Sequence, residues 1–231
     1  MKEDSIVKPS PLKGFMRKRC FIIPFDLASF IIKNRLEKAC ARRKSSQSGY
    51  VYLLEDSVVL FGSIGASSTI LSMEQLVKTG VEEFVILGFC GTLDASFSIA
   101  EAVFINRACS DEGVSHHYIP SSTEFYSSET LTRDIKKHLS VMDMKYRSAA
   151  IVSTDAPYRE TRSWVQDKQN NGISLVDMET SAVFAVAEYY GLKAGSLQII
   201  SDDLSSGTWK KGFHLLRLKT AVEKYFLPFI I

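Results

Sequence analysis

Short apolar runs alternate along this chain with stretches in which apolar residues recur at helical spacing. Runs of strand length lie at residues 20–25, 50–54, 57–61, 84–88, 102–105, 148–153, 173–176 and 194–200. Continuous apolar runs of this length, bounded by turn residues, are typical of buried strands. Because buried strands that alternate with helices favour a parallel or mixed sheet, the pattern predicts an α/β fold.

Helical periodicity follows most of these runs. Helices are predicted after Asp26, after the loop Gly62–Ser68, and over residues 128–139, 179–190 and 210–227. Gly80 and Gly191 end two of them, as expected of glycine at a helix C-terminus. Between the strands, residues 107–127 are rich in Ser, Asp, Gly and His and are predicted to form a long loop.

The same pattern sets the expected domain organisation. It contains no internal repeat and no low-complexity tract, which predicts a single domain over residues 20–231. Residues 1–19 form an N-terminal arm in which six Lys and Arg residues face two acidic ones. A charge run of this kind is typical of a solvated segment.

Composition acts mainly by excluding classes of protein. Hydrophobic residues make up 45% and charged residues 23% of the 231 residues, as in ordinary globular proteins. The net charge of +2 argues against a nucleic-acid or membrane-surface protein, and no apolar run approaches the roughly 18 residues of a membrane span. The sequence shows no secretory signal. Its four cysteines, Cys20, Cys40, Cys90 and Cys109, form no CxxC pair. We therefore expect a cytoplasmic protein with reduced thiols, no metal site and no cofactor.

Candidate chemistry gathers at three predicted strand ends, the usual place for ligands in α/β sheets. The loop Gly62–Ser68 either forms a tight turn or offers backbone N–H groups to a ligand. Glu179 stands at a strand-to-helix switch, where a carboxylate either caps the helix or binds a ligand. Asp202 and Asp203 either cap a turn or supply a general acid, provided that their surroundings raise the pKa.

Together these segments resemble the nucleoside phosphorylase family. This family includes purine nucleoside phosphorylases, uridine phosphorylases and methylthioadenosine/adenosylhomocysteine nucleosidases. Residues 62–80 (GSIGASSTILSMEQLVKTG) are similar to its Gly-rich loop and helix. Residues 176–202 (VDMETSAVFAVAEYYGLKAGSLQIISD) are similar to its ribose-binding segment and catalytic-acid strand, and residues 111–120 (DEGVSHHYIP) resemble a loop of the uridine branch. The resemblance spans roughly residues 20–225.

The resemblance implies a fold and a set of roles. The fold is a three-layer α/β/α domain with a mixed, partly barrel-like central sheet, assembled as a dimer or hexamer. Met178 and Glu179 would hold the ribose, with the Glu179 carboxylate accepting hydrogen bonds from its hydroxyls. Asp202 would protonate or hydrogen-bond the base, which favours a purine-type nucleoside, and Asp203 is the second choice for that role.

The family's phosphate site is altered in this sequence. Phe25 stands at the position of a glycine, Ser29 and Ile86 at those of two arginines, and Phe89 at that of a hydroxyl. Apolar side chains cannot make the charge-assisted hydrogen bonds that an oxyanion requires. Backbone N–H groups near Gly65 remain available to an anion. The substitutions favour hydrolysis or an unusual acceptor, while a true phosphorylase and a catalytically silent nucleoside-binding protein remain alternatives.

The sequence offers several candidates, each with a structural alternative, for contacts to the base and to the 5′ side of the ribose. Arg159 and Glu160 lie where the uridine branch keeps base-recognition residues, although Arg159 is equally suited to a local ion pair. Aromatic residues available for stacking on a base are Phe89, Phe125 and Tyr158, with core packing as the alternative. His116 and His117 either approach the ribose 5′ side, within one subunit or across a subunit interface, or form a surface pair.

Overall fold

The computed structural model describes residues 5–24, 29–39 and 42–230. Within them, eleven strands join in one sheet. The strands are β1 (Arg19–Ile23), β2 (Arg42–Ser46), β3 (Gly49–Leu53), β4 (Ser57–Phe61), β5 (Glu83–Thr92), β6 (Ala102–Asp111), β7 (Glu124–Tyr126), β8 (Arg147–Thr154), β9 (Leu175–Asp177), β10 (Lys193–Asp203) and β11 (Lys210–Lys211).

Helices connect most of these strands. They are α1 (Ser29–Ala39), α2 (Ala66–Thr79), α3 (Ser115–Tyr118), α4 (Glu129–Val141), α5 (Arg162–Asn170), α6 (Thr180–Tyr190), α7 (Leu216–Tyr225) and α8 (Leu227–Ile230), with a 3₁₀ turn at Pro157–Arg159. Gly80 and Gly191 end α2 and α6 in the left-handed conformation that the sequence predicts.

Five of the strands close into a small barrel. Around it the order is β10, β6, β8, β9, β5 and again β10. The pairs β5–β10, β6–β8 and β8–β9 are parallel, whereas β6–β10 and β5–β9 are antiparallel. Strands β1, β4, β3 and β2 extend the sheet outward from β5. The mixed, partly barrel-like sheet expected from the resemblance is confirmed.

Helices cover both faces of this sheet. One core cluster packs strand residues such as Ile86 against α2 and against the buried stretch 182–187 of α6. The other packs residues such as Leu87 against α1, α4 and α7. Successive β5 residues therefore serve opposite cores, as the pleat of a strand requires. The three-layer α/β/α arrangement is confirmed.

Three sequence predictions of local structure are wrong. The predicted helix 210–227 starts instead with the strand β11 (Lys210–Lys211), and α7 begins only at Leu216. The expected loop 107–127 contains the second half of β6, then α3 and β7. This half of β6 has one exposed face, and its polar residues concealed the strand; Arg107, for example, pairs with Glu124 at 2.9 Å. Strand β10 was expected to end at residue 200, but it continues through an irregularity after Ile200 to Asp203.

The chain before β1 lies along α2. Leu12 donates its backbone N–H to Thr79 Oγ1 at 2.9 Å, and Lys18 O accepts from Glu82 N and Glu83 N. Whether residues 1–19 act as a separate arm stays a prediction, and the expected helix cap Asp26 lies outside the described residues. Across the described ranges, every helix is too short or too polar to cross a membrane.

Candidate active site

A cavity of about 360 Å³ opens where β5, β9 and β10 reach their carboxyl ends. Four carboxylates line it: Glu160, Asp177, Glu179 and Asp202. Its remaining walls are largely apolar or aromatic. Among the described residues that line the cavity there is no Lys, Arg or His. The site therefore combines buried acids with aromatic surface, as small-molecule pockets with a few converging polar groups do.

Glu179 lies between β9 and α6 and points its carboxylate at the start of α2. Its Oε1 accepts the Gly65 backbone N–H at 2.6 Å, and the side chain is 5% exposed. The N-terminus of α2 thus faces a carboxyl group, and the helix dipole favours its ionised form. Burial, and then the charge of Asp177, raises the pKa of Glu179, while the Gly65 and Met178 N–H groups oppose that rise.

Asp177 fixes the backbone that carries Glu179. It accepts hydrogen bonds from Ser153 Oγ at 2.6 Å and from Thr180 N at 3.1 Å, and it also accepts from the Thr180 hydroxyl. Burial raises its pKa, and these donors act in the opposite direction. Because Asp177 is occupied by the first turn of α6, its role is to hold the Met178–Glu179 turn in position.

Asp202 sits near the end of β10 and is 9% exposed. Ser201 Oγ donates to its Oδ1 at 2.6 Å, and Trp209 Nε1 donates to its Oδ2 at 2.7 Å. Burial raises the pKa of Asp202 above its ordinary value, and these two donors limit the rise. Such an environment suits a carboxyl group that must keep a proton closer to neutral pH.

Asp203 has a different environment from its neighbour. It accepts from Ser205 N at 2.8 Å and pairs with Lys210 at 3.0 Å, away from the cavity lining. Burial raises the pKa of Asp203, but the contacts with Ser205 and Lys210 lower it more, so this pKa lies below its ordinary value. Of the two adjacent acids, Asp202 is the one that faces the cavity, while Asp203 anchors the turn into β11.

Sequence reasoning missed the cavity positions of Trp209 and Phe213, whereas Glu160, named with Arg159 as a base-recognition candidate, does line the cavity. Burial, and then the charge of Asp202, raises the pKa of Glu160 to about 7. Trp209 and Phe213 reach the cavity because β11 folds back and pairs Lys211 with Asp202. The sequence contains a signal for the reversal of the chain between β10 and β11. Shortly after Asp202 and Asp203 comes a turn-rich stretch, Ser205, Ser206 and Gly207.

The residues expected at the altered phosphate site are only partly described by the structure. Phe89 lines the cavity and contacts Phe226, with ring centroids 6.3 Å apart. Ile86 is fully buried in the core on the opposite face of β5, and it does not line the cavity. The Gly65 N–H already donates to Glu179. Phe25 lies outside the described residues, and Ser29 begins α1, with its side chain also outside them.

The other candidates lie elsewhere. Arg159 is exposed in the 3₁₀ turn and is not part of the cavity lining, although its neighbours Tyr158 and Glu160 are. Phe125 is fully buried in the core, so the core-packing alternative is the correct one. His116 and His117 lie exposed in α3, with ring centroids 3.9 Å apart, outside the cavity lining of their own chain. Their approach to the ribose across a subunit interface stays a prediction.

Comparison with known proteins agrees with this architecture. The chain is 29% identical over 159 residues to a guanosine phosphorylase of Halorubrum lacusprofundi, an alignment that covers 67% of this chain and 64% of that protein. It is 24% identical over 149 residues to a DeoD-type purine nucleoside phosphorylase of Bacillus cereus, covering 62% of each. The chain thus spans less than two thirds of the length of these relatives.

Solved structures share the fold. Purine nucleoside phosphorylase from Toxoplasma gondii, in complex with immucillin-H, superimposes with a TM-score of 0.78 over 97% of this chain and 94% of that one, at 14% identity. The 5′-methylthioadenosine/S-adenosylhomocysteine nucleosidase of Helicobacter pylori gives 0.73 over 92% and 95%, at 17% identity. At sequence level, the model of the phosphorylase superfamily matches residues 25–225. The chain belongs to the phosphorylase superfamily.

Proposed function

We propose that this protein cleaves the N-glycosidic bond of a nucleoside with a purine-type base. One observation carries the proposal: a single cavity contains both the Met178–Glu179 turn and Asp202, which come from different strands. The first suits a sugar and the second suits a base, so their separation across one pocket fits the two halves of a nucleoside.

Each residue has a role that its environment supports. Glu179 accepts hydrogen bonds from the ribose hydroxyls, and the half-buried Met178 packs beside the sugar. Asp202 donates a proton or hydrogen bond to the base, so that the base departs without a full negative charge. Phe89 supplies apolar surface to the same pocket. A base-binding role for Arg159 remains a prediction, since its side chain lies outside the lining.

A purine is favoured over a pyrimidine for two reasons. An acid at the position of Asp202 matches the purine branch of the family, and the relatives described above include a guanosine phosphorylase and a purine nucleoside phosphorylase. We therefore expect guanosine, inosine or adenosine derivatives as substrates. As in other members of this family, we expect a homo-oligomer, and we expect it in the cytoplasm.

Water is the acceptor that the cavity favours. A phosphate dianion would enter a pocket lined by four carboxyl groups and, within the described residues, by no cationic side chain. Burying an oxyanion without charged or N–H partners costs several kcal/mol. The Gly65 N–H at the α2 terminus is already bonded to Glu179. These features support hydrolysis of the nucleoside in place of phosphorolysis.

Release of free base from a panel of purine and pyrimidine nucleosides tests the activity. We expect release from purine nucleosides, and much slower release from uridine and cytidine. Asp202→Asn serves as the matched control, because it preserves the shape of the side chain while removing the acid. Saturable nucleoside binding without any release of base would instead identify a silent nucleoside-binding protein.

A further inference from the structure

The indole of Trp209 lies against the acid of the cavity. Its Nε1 donates to Asp202 Oδ2 at 2.7 Å, and Lys211 Nζ lies 4.2 Å from the centre of its ring. Half of the Trp209 surface is exposed, and the residue also contributes to the cavity wall. Trp209 therefore contacts both the acid and the space in which a base would sit.

The two oxygens of Asp202 have partners of different chemistry. An indole N–H can only donate, so Oδ2 must act as an acceptor in either protonation state. A hydroxyl both donates and accepts, and Ser201 Oγ lies 2.6 Å from Oδ1 and 3.2 Å from Cys90 O. When Asp202 is ionised, Ser201 donates to Oδ1. When Oδ1 carries a proton, Ser201 accepts from it and turns its own hydrogen to Cys90.

Charged groups around Asp202 and its hydrogen bond with Trp209 act on the pKa of Asp202 in opposite directions. Glu160 faces it across the cavity, and Asp203 follows it in β10, with Lys210 paired to Asp203 at 3.0 Å. Burial and the charge of Asp203 raise the pKa of Asp202, whereas Ser201 and Trp209 lower it. The Cys90 thiol nearby has a pKa raised well above its usual value by burial and is neutral.

We propose that Trp209 is a positioning residue: it holds the Asp202 carboxyl in place, sets the pH at which that group loses its proton, and forms an aromatic wall against which the base stacks. This proposal rests on the proposed function, in which Asp202 is the acid. Charge-assisted hydrogen bonds are among the stronger contacts in proteins, and stacking on an aromatic ring tolerates different bases.

Trp209→Phe separates the two roles, because it removes the N–H and keeps an aromatic ring. Loss of a donor to the carboxylate destabilises the ionised form, so the pKa of Asp202 rises. Turnover needs the protonated acid, and its decline at high pH should therefore move upward by about one pH unit, with KM little changed. Trp209→Ala also removes the ring and should raise KM by roughly tenfold or more.

Trp164 provides a matched control within the same chain. Its Nε1 donates to Asp111 Oδ2 at 2.6 Å, and Lys168 Nζ lies 5.3 Å from the centre of its ring, but the residue does not line the cavity. Trp164→Phe removes an equivalent contact and should leave the pH profile and KM as in the wild type. A shift of the profile in Trp164→Phe equal to that in Trp209→Phe would overturn the proposal.

A second measurement is independent of turnover. Since the chain has two tryptophans, Trp164→Phe leaves Trp209 as the only indole, and its ¹⁵N–H signal can be followed by NMR. We expect that signal to titrate with Asp202, to lose the titration in an added Asp202→Asn substitution, and to shift when guanosine binds. If no nucleoside is cleaved but the signal still titrates with Asp202, the proposed function fails and the Trp209 contact stands. A signal that neither titrates nor responds to guanosine overturns the proposal, even in an active enzyme.

Discussion

At the scale of single residues, the neighbouring aspartates Asp202 and Asp203 lie in different surroundings. Asp202 is buried between Ser201 and Trp209, with a raised pKa, whereas Asp203 pairs with Lys210 outside the cavity. Nothing in the dipeptide itself distinguishes them. The difference arises because β10 continues through both residues and alternation places their side chains on opposite faces.

Asp202→Asn should slow release of base from the best purine nucleoside by about 10²–10⁴-fold, the usual scale for loss of a general acid. In the wild type, turnover should fall as the pH rises through the pKa of Asp202, because only the protonated form donates. Steady-state kinetics across pH measure both effects. Asp203→Asn is the control and should retain most of the activity. If Asp203→Asn were the slower variant and Asp202→Asn the active one, Asp203 would be the acid.

Glu179→Ala should weaken binding of every ribonucleoside, whatever its base. The wild type should prefer guanosine over 2′-deoxyguanosine by roughly 10- to 150-fold, because a hydrogen bond to a charged group contributes about 1.5–3 kcal/mol. The variant should lose most of this preference, as titration calorimetry with the two ligands would show. Glu112→Gln is the control, since Glu112 is buried and hydrogen-bonded to Ser181 Oγ at 3.0 Å but lies outside the cavity lining. If Glu179→Ala kept the preference for guanosine over 2′-deoxyguanosine, Glu179 would not be part of the ribose site.

At the scale of elements, the Gly-rich loop joins the start of helix α2 to the proposed sugar site. Gly65 precedes the helix with φ of 83°, and Gly80 follows it with φ of 101°. An added Cβ would meet nothing within 4 Å at either position, so substitution strains only the backbone. The N–H of Gly65 reaches Glu179, whereas Gly80 closes the far end of the helix through bonds to Leu76 and Val77.

Gly65→Ala and Gly80→Ala should therefore both destabilise the fold. Gly80→Ala should cost about 1–2 kcal/mol, as for an L-residue in the left-handed conformation, and Gly65→Ala about 1–3 kcal/mol, because a φ of 83° with a ψ of 157° is a conformation open essentially to glycine alone. Only Gly65→Ala should also weaken nucleoside binding, because the shifted loop misplaces the N–H that holds Glu179. Denaturant unfolding and calorimetric binding separate the two effects. Equal losses of affinity in both variants would indicate that the loop has no specific connection to the site.

Local patterns predicted those elements whose signals are contained in their own residues. The apolar strand cores and the glycine ends of α2 and α6 are of this kind. The second half of β6 was missed because a strand with one exposed face carries polar residues. The position of Trp209 over Asp202 depends on the pairing of β10 with β11, a contact between distant backbone segments that no local periodicity records.

At the scale of the whole molecule, barrel closure brings the site together. Strand β5 pairs with β10 along its length and with β9 at its end, so Phe89, Glu179 and Asp202 meet around one cavity. The resemblance supplied the roles of Glu179 and Asp202 in advance. It also named Glu160 as a base-recognition candidate, but not the charge balance of the cavity, because the placement of this carboxyl group, directly after the 3₁₀ turn, depends on the complete fold.

The central claim is that this cavity breaks a glycosidic bond without phosphate, and the sugar product tests it most directly. The protein would be incubated with guanosine in phosphate-free buffer and with increasing phosphate, and the base and sugar would be quantified. We predict free guanine and free ribose in equal amounts, at a rate that phosphate does not increase. Ribose 1-phosphate, formed at a rate that saturates with phosphate, would contradict it.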